Sequence, residues 1–404
     1  MAPTALSSAA GRDPTVRNVA LLALCQALAM SASSLTITVT VLVGFNLAAD
    51  KSLATLPIAV QFGATMLASF PVSLLMKRIG RRAGFSFGAV CAIASGLLST
   101  KAVIDADFLM LNLGAALFGI NNACVFFYRF AAADTASPAF KSRAISLVLA
   151  GGLVAAYFGP QLAVWTRDLL APLVFAGGYL SIAALAAVSL LVLQFIAIPR
   201  AVEAEVSGPS RPLGEIARQP VFLVAALSAM AGYGAMNLVM TSTPLAIVAC
   251  NHPFESAAFV IQWHVVGMFA PSFFTGHLIR RFGCARVISA GALLILACVG
   301  FNLSGVEVWQ FWSGLVLLGL GWNFMFIGGT TLLTDAYRPA EKAKVQGFND
   351  LLVFGTVFVT ALSSGQLFHA IGWEAVNLAV VAPVLLALLA AVWLGRRHAQ
   401  AAAA

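Results

Sequence analysis

The sequence predicts an all-α membrane protein with twelve transmembrane helices in two pseudo-symmetric six-helix bundles. Three observations lead to this fold class: an apolar composition, long apolar runs along the whole chain, and basic loop motifs that repeat half a chain apart. Of the 404 residues, 61% are hydrophobic and only 9% are charged. A water-soluble domain needs far more charged surface, whereas a membrane span needs about 20 consecutive apolar residues.

Twelve apolar runs are long enough to cross a bilayer as helices. In chain order they are Val19–Leu47, Leu53–Met76, Gly84–Ile104, Phe108–Ala131, Ile145–Val164, Leu173–Ile196, Val221–Val248, Ala257–Leu278, Val287–Leu303, Val308–Leu333, Val345–Leu367 and Ala375–Leu394. The sequence outside these runs is too short for a second folded domain.

The loops that follow these runs repeat at half the length of the chain. The basic segment 77–82 after span two corresponds to 280–286 after span eight, and 134–143 after span four corresponds to 335–344 after span ten. Such parallel halves are typical of carriers that work by alternating access.

Lysine and arginine are distributed unevenly over the two sides of the membrane. Of the 23 Lys and Arg, 19 lie in connections on one side, against Lys51, Lys101 and Arg167 on the other. By the positive-inside rule the basic side and both termini are cytoplasmic. The net charge of +8 therefore reflects orientation in a lipid bilayer and does not indicate a nucleic-acid partner.

The longest polar stretch lies between the sixth and seventh runs and divides the chain into halves. We therefore expect a cytoplasmic tail at 1–18, a first six-helix bundle at 19–198, a cytoplasmic linker at 199–219, a second six-helix bundle at 220–395 and a second cytoplasmic tail at 396–404.

Two pairs of soft metal donors occur on spans seven and eight: Met236 with Met240, and His264 with Met268. The i,i+4 spacing stacks both members of a pair on one helix face. The members nearer the external face, Met240 and His264, lie roughly 12 Å deep and the other two roughly 18 Å deep. Thioether and imidazole suit copper, above all Cu(I), so the pattern predicts a two-tier copper site across this helix pair. Apolar packing of the methionines is the alternative.

Further residues could extend such a site at either end. Cys250 and His252 at the external mouth are candidate ligands for incoming copper, and Met230, nearer the cytoplasm, is a candidate for its release. Packing is again the alternative for Cys250 and Met230. The six cysteines contain no C-x2-C pair, so neither a disulfide framework nor a zinc site is indicated.

Two charged residues, Arg129 and Asp350, fall inside predicted spans near their cytoplasmic ends. A charge at that depth is costly unless it is paired or solvated. Both are candidates for proton coupling or for a state-dependent gate. A structural ion pair between Arg129 and Asp134 is the alternative.

Asparagines recur in the middle of spans four and ten, at positions related by the half repeat. They are Asn121, Asn122 and Asn323. We expect them either to line a polar cavity or to make hydrogen bonds between helices.

The twelve spans, the half repeat and the basic turns after spans two and eight resemble the major facilitator superfamily. The turn Met76-Lys-Arg-Ile-Gly80-Arg-Arg82 is similar to the signature loop of that superfamily, although the usual acidic residue before the basic pair is missing. That absence removes one partner of the gating ion pair that the loop usually forms. The resemblance implies a secondary transporter.

Within the superfamily the chain resembles the CcoA-type bacterial copper importers, which carry metal motifs on the spans of Met236-x3-Met240 and His264-x3-Met268. The similarity also covers the segments 128–134 and 344–350. It implies import of copper as the transported substrate across the bacterial inner membrane, for assembly of haem-copper oxidases. It also implies copper donor or acceptor proteins as partners and no permanently bound cofactor. Near relatives of the same architecture transport riboflavin and lack the metal pairs.

The expected function is therefore copper import by alternating access between two bundles. A riboflavin-type carrier of organic solutes is the alternative, in which the methionines only pack. A membrane enzyme that reduces copper is disfavoured because the sequence contains no flavin, haem or dinucleotide motif.

Overall fold

The computed structural model describes residues 14–135, 141–198 and 210–403, and every regular element in these ranges is a helix. The helices of the first half are α1 Pro14–Leu47, α2 Leu56–Ile79, α3 Arg81–Ile104, α4 Phe108–Val125, α5 Tyr128–Thr135, α6 Lys141–Trp165 and α7 Ala176–Leu193. The short α8 Leu213–Ala217 lies in the linker. The helices of the second half are α9 Pro220–Ala249, α10 Phe254–Phe269, α11 Ser272–Phe282, α12 Cys284–Leu303, α13 Val308–Leu333, α14 Lys342–Ile371, α15 Trp373–Leu378 and α16 Val381–Ala403.

The helix lengths agree with the predicted architecture. Within the described ranges, ten helical segments are long and apolar enough to cross a membrane, and α10 with α11 makes an eleventh span that is bent by 42°. The 25-residue α6 covers the fifth predicted run. The all-helical fold class is thus confirmed, and α13 has the predicted bounds of span ten.

Three predicted spans are each broken into two helices: span four, span eight and, between α15 and α16, span twelve. In span four, the amide of Phe127 donates to the carbonyl oxygen of Cys124, three residues back, so the α-helical ladder stops between α4 and α5. In span eight, Pro271 lacks the amide that would continue the ladder. Asn323 of α13 supports the backbone beside this break, because its Nδ2 donates to the Met268 carbonyl oxygen at 2.7 Å.

The second bundle is organised around α13, which packs along α9, α10 and α12. The approach to α10 is close because Gly319 has no side chain. A Cβ there would lie 2.5 Å from the carbonyl oxygen of His264 and 2.9 Å from the amide nitrogen of Met268. Small residues let membrane helices approach in this way. The backbone of α10 is thereby fixed against α13 at the level of His264.

Side-chain interactions join the two bundles at one end of the molecule. We call the end with the α2–α3 and α11–α12 turns the basic face, and the other end the opposite face. At the opposite face, Arg167 Nη1 of the first bundle lies 3.1 Å from Glu255 Oε1 of the second. Two turns inside it, the buried amide of Gly365 donates to Thr55 Oγ1 at 3.0 Å. These contacts join the bundles and close the opposite face.

An ion pair fixes the described end of the linker to the second bundle. Arg211 donates from Nε to Glu341 Oε1 at 2.9 Å and from Nη2 to Oε2 at 2.7 Å, and its backbone amide donates to Oε1 at 2.8 Å. The fully buried Glu341 carboxylate also accepts from the amide of Arg338. Arg211 lowers the pKa of Glu341 below its usual range. The linker segment from residue 210 therefore belongs structurally to the second bundle.

Glu341→Gln should lower the unfolding temperature at neutral pH by a few degrees, because it removes a bidentate partner of Arg211. Since the folded pKa of Glu341 is depressed, its stabilisation is complete above the ordinary glutamate range and is lost as the pH falls below it. The unfolding temperature of the variant should therefore depend less on pH than that of the wild type. Thermal unfolding in detergent from about pH 2.5 to 8 measures both effects.

The control for this variant is Glu374→Gln, which changes an exposed glutamate at the opposite face. It should unfold like the wild type at every pH. Identical pH profiles for Glu341→Gln and the wild type would contradict the role of the Arg211–Glu341 pair.

Candidate functional site

Six aromatic rings meet where the bundles face each other, about halfway along the spanning helices. They come from α9, α10, α13 and α14 of the second bundle and from the break between α4 and α5 of the first. We call them the aromatic cluster. Its members are Phe126, Tyr233, Phe269, Trp322, Phe326 and Phe354.

The rings of the aromatic cluster form one continuous set of contacts. Trp322 and Phe326 are stacked, with centroids 5.2 Å apart and an interplanar angle of 11°. Tyr233 stands edge-on to both at 5.4 Å. Phe354 contacts Tyr233 at 6.1 Å and Phe126 at 5.6 Å. Phe354 therefore connects the rings of the second bundle to Phe126 of the first, while Phe269 lies against Gly152 of α6.

Local sequence explains part of this arrangement. Trp322 and Phe326 are four residues apart on α13, which places their rings on one helix face. Gly232 lets α9 fit closely against α13 beside Tyr233, because a Cβ at Gly232 would lie 2.8 Å from the Cβ of Met325. Sequence analysis missed the cluster. The i,i+4 aromatic pair was the one local signal for it.

Polar groups border the aromatic cluster. Asn237 and Thr241 follow Tyr233 at steps of four residues along one face of α9, and both are buried. Among the described residues, Asn237 Oδ1, Thr241 Oγ1 and Trp322 Nε1 have no hydrogen-bond partner. Buried polar groups are seldom left unpaired, because each pays the full cost of its lost hydration. Each of these three groups therefore needs a partner that the described residues do not supply.

The four expected copper ligands are all buried. Met236, Met240 and Met268 belong to one hydrophobic cluster. His264 Nδ1 lies 2.8 Å from the Leu315 carbonyl oxygen of α13, and its Nε2 has no partner within the described part of the chain. The predicted geometry placed the two pairs across a direct α9–α10 contact. Here α10 packs chiefly on α13, because Gly319 allows the close approach described above.

The flanking candidates for copper are separated along α9 and its end. Met230 is half-buried two turns from Met236, and Cys250 is half-buried where α9 ends. His252 Nε2 lies 2.8 Å from the Val306 carbonyl oxygen, so the α12–α13 turn fixes this ring. Within the described ranges, no three His, Cys, Asp or Glu side chains come together as a metal site. Copper binding by the methionine and histidine pairs stays a prediction.

The three asparagines lie in different surroundings. Asn323 connects α13 to the bent span eight, donating to Ser272 Oγ at 2.8 Å and accepting from Thr275 Oγ1 at 2.7 Å. Asn122 accepts a hydrogen bond from Ser33 Oγ of α1 at 3.3 Å. Asn121 lines a small cavity inside the first bundle. Hydrogen bonding between helices thus accounts for Asn323 and Asn122.

Arg129 and Asp350 carry opposite charges across the two bundles. Arg129 of α5 lies over the Phe130 ring, 4.9 Å from its centroid, and is attracted by Asp350 of α14. These residues are one helical turn from Phe126 and Phe354, on the side of the basic face. The charges and the two rings thus form successive layers between the bundles. The side chain of Asp134, the alternative partner of Arg129, lies outside the described part.

Comparisons with known proteins agree with this architecture. The model of the Major Facilitator Superfamily matches residues 22–349 and 253–404. The chain is also similar to the crystal structure of a Major Facilitator Superfamily transporter, FucP, in the outward conformation. That likeness has a TM-score of 0.61 and 18% identity, and it covers 94% of this chain and 99% of that chain. It supports the fold.

Sequence relatives cover nearly the whole chain. The riboflavin transporter RfnT of Brucella anthropi is 41% identical over 375 residues, which are 92% of this chain and 94% of that protein. Two uncharacterised MFS-type transporters of Bacillus subtilis, YddS and YdeG, are 25% and 26% identical. They cover 89% and 88% of this chain, and 87% of their own length in each case.

Arg129→Ala and Asp350→Ala should each lower the unfolding temperature in detergent by a few degrees, because each removes the opposite charge that attracts the other residue. The exchange Arg129→Asp with Asp350→Arg should recover part of the loss. Thermal unfolding of the three variants measures this. Arg218→Ala, which removes an exposed arginine, is the control. Single variants as stable as the wild type, or an exchange that recovers nothing, would contradict a stabilising attraction between Arg129 and Asp350.

Proposed function

The chain belongs to the Major Facilitator Superfamily, and from this premise we propose that it is a riboflavin transporter. Membership makes it a secondary transporter and not an enzyme. The solute would move by alternating access between the two bundles. The aromatic cluster at their interface is the proposed binding site.

The observation that carries this proposal is the aromatic cluster itself. Riboflavin has a flat tricyclic isoalloxazine ring, and stacked or edge-on contacts with aromatic side chains stabilise such a ring by about 0.5–1.5 kcal/mol per pair beyond simple burial. The Trp322–Phe326 pair offers a flat surface, with Tyr233 edge-on beside it. Both bundles contribute aromatic rings to the cluster. Such a shared site suits a carrier whose bundles move relative to each other around the bound solute.

The sequence relatives favour riboflavin over copper. A relative with 41% identity over 92% of this chain is a riboflavin transporter. This reverses the order of the two functions expected from the sequence. Copper import, metal binding and a role in oxidase assembly receive no support from the comparisons. Met236, Met240 and Met268 take part in one buried apolar cluster, as packing methionines do.

We further propose that the basic face is cytoplasmic in a bacterial inner membrane, so that the opposite face is external. The uneven distribution of Lys and Arg over the connections supports this orientation. The Arg167–Glu255 and Thr55–Gly365 contacts join the bundles at the opposite face, and the Phe126–Phe354 contact joins them nearer the basic face.

Proteoliposomes that contain the purified protein should accumulate radiolabelled riboflavin above empty liposomes, and excess unlabelled riboflavin should compete. Trp322→Leu and Phe326→Leu should each reduce uptake about tenfold, since each removes one face of the stacked pair. Trp309→Leu is the matched control, because Trp309 is exposed and lies outside the aromatic cluster. Gel filtration of each variant checks folding.

The same vesicles decide between riboflavin and copper. Copper uptake in the presence of a reductant should equal that of empty liposomes, and His264→Ala and Met240→Ala should not change it. Copper uptake that these two variants abolish, without riboflavin uptake by the wild type, would overturn the proposal in favour of the metal carrier.

Reporter fusions after Arg218 and after Ala404 should both give cytoplasmic signals. The excess of Lys and Arg in the connections at the basic face disfavours the inverted orientation. Alkaline phosphatase and green fluorescent protein fusions at both points measure the orientation. A periplasmic signal at either point would contradict the proposed sidedness.

A further inference from the structure

We infer that Asn237 and Trp322 form a hydrogen-bonding subsite for the imide edge of the flavin ring. This rests on the proposed function and adds a specificity to it. The subsite recognises a ring edge in which an N–H lies next to a carbonyl oxygen. Asn237 Oδ1 accepts from the ring N–H, and Trp322 Nε1 donates to the adjacent carbonyl oxygen.

The orientation of the Asn237 amide follows from its neighbours. Its Nδ2 donates to the Val357 carbonyl oxygen at 3.1 Å and to Thr360 Oγ1 at 3.2 Å. A backbone carbonyl can only accept, so the nitrogen must face α14. The oxygen of the amide is then left as an acceptor. It is fully buried and without a partner in the described ranges.

Trp322 offers the complementary donor. Its indole Nε1–H can only donate, and among the described residues nothing accepts from it, although the side chain is just 6% exposed. The ring itself is held in place by Phe326, Tyr233 and Phe269. Trp322 can therefore present one N–H in a fixed direction.

Tyr233 connects the donor and the acceptor. Its ring is 5.4 Å from that of Trp322, and it lies one helical turn from Asn237 on the same face of α9. A fixed acceptor and a fixed donor therefore border the same aromatic ring. Thr241, one turn beyond Asn237, adds a buried hydroxyl to this face.

The chemistry of the flavin ring matches this pair. Its pyrimidine part carries an imide N–H between two carbonyl oxygens, while the rest of the ring is flat and mostly apolar. A site whose buried polar groups are satisfied by the ligand rejects analogues that lack those groups, since its own groups then stay unpaired. The aromatic cluster would bind many flat rings, and the Asn237–Trp322 subsite would select those with an imide edge.

The experiment compares riboflavin with 3-methylriboflavin, whose imide N–H is replaced by N–CH₃, as competitors of radiolabelled riboflavin uptake in proteoliposomes. For the wild type, riboflavin should compete about tenfold better than the methyl analogue. Asn237→Ala should reduce this ratio to about one. Asn237→Asp, which keeps an acceptor oxygen but loses the amide donor to α14, should retain a preference for riboflavin.

Trp322→Phe keeps an aromatic ring but removes the N–H donor. Because both competitors retain their carbonyl oxygens, both should weaken about tenfold while their ratio stays at the wild-type value. Trp312→Phe is the matched control. It removes a buried indole N–H that also lacks a partner in the described residues but lies outside the aromatic cluster, and it should change neither value.

The outcomes separate the two proposals. Riboflavin uptake by the wild type, with the same competitor ratio in Asn237→Ala as in the wild type, would overturn the subsite and leave the proposed function intact. An equal loss of preference in Asn237→Ala and Asn237→Asp would assign Asn237 a structural role and also overturn the subsite. Failure of the wild type to take up riboflavin would overturn the proposed function and the subsite together.

Discussion

The close packing of α13 against its neighbours is the constraint on which the second bundle depends. Without water in the hydrocarbon core, helices associate through backbone approach and internal hydrogen bonds. At Gly319 the absence of a side chain allows α13 to touch the backbone of α10. One turn further, Asn323 satisfies the carbonyl oxygen of Met268 next to the proline break. The position of Trp322 in the aromatic cluster follows from the same helix.

Span eight is bent, yet hydrogen bonds hold it firmly against α13. The α10–α11 bend occurs at Pro271, but Asn323, Ser272 and Thr275 make hydrogen bonds around it. The bent span is thus attached to α13 on both sides of the bend. The stacked Trp322–Phe326 pair begins one residue from Asn323, so the same segment of α13 supports the bend and presents the rings.

The spans could be predicted from the sequence because each is a local apolar run. Most observed helices begin and end near the predicted bounds, although α16 continues past Leu394 to Ala403. The proline at 271 was a visible reason for a break. The break at Phe126 and Phe127 had no such marker. The i,i+4 rule correctly grouped His264 with Met268 on a buried face, but spacing along one helix does not reveal which neighbour that face will meet. That choice depended on Gly319 of α13, 55 residues from His264.

The candidate site was harder to predict than the fold for the same reason. Its rings come from five places in the chain and share no period, whereas the methionine and histidine pairs are conspicuous within two helices. The attraction between Arg129 and Asp350 likewise joins residues more than half the chain apart. The sequence pattern therefore pointed to the methionine and histidine pairs within two helices. It did not indicate the aromatic cluster, which forms only when the two bundles are assembled.

Phe354 belongs at once to the aromatic cluster and to the contact between the bundles. Occupancy of the cluster and separation of the bundles are therefore one coupled equilibrium. A solute that displaces the Phe126–Phe354 contact would bind the conformation with the bundles together and the conformation with them apart with different affinities. The ratio of these two affinities determines how far the solute shifts the populations of the conformations. A change that loosens the same contact shifts the balance of the two conformations and thereby alters the apparent affinity for the solute.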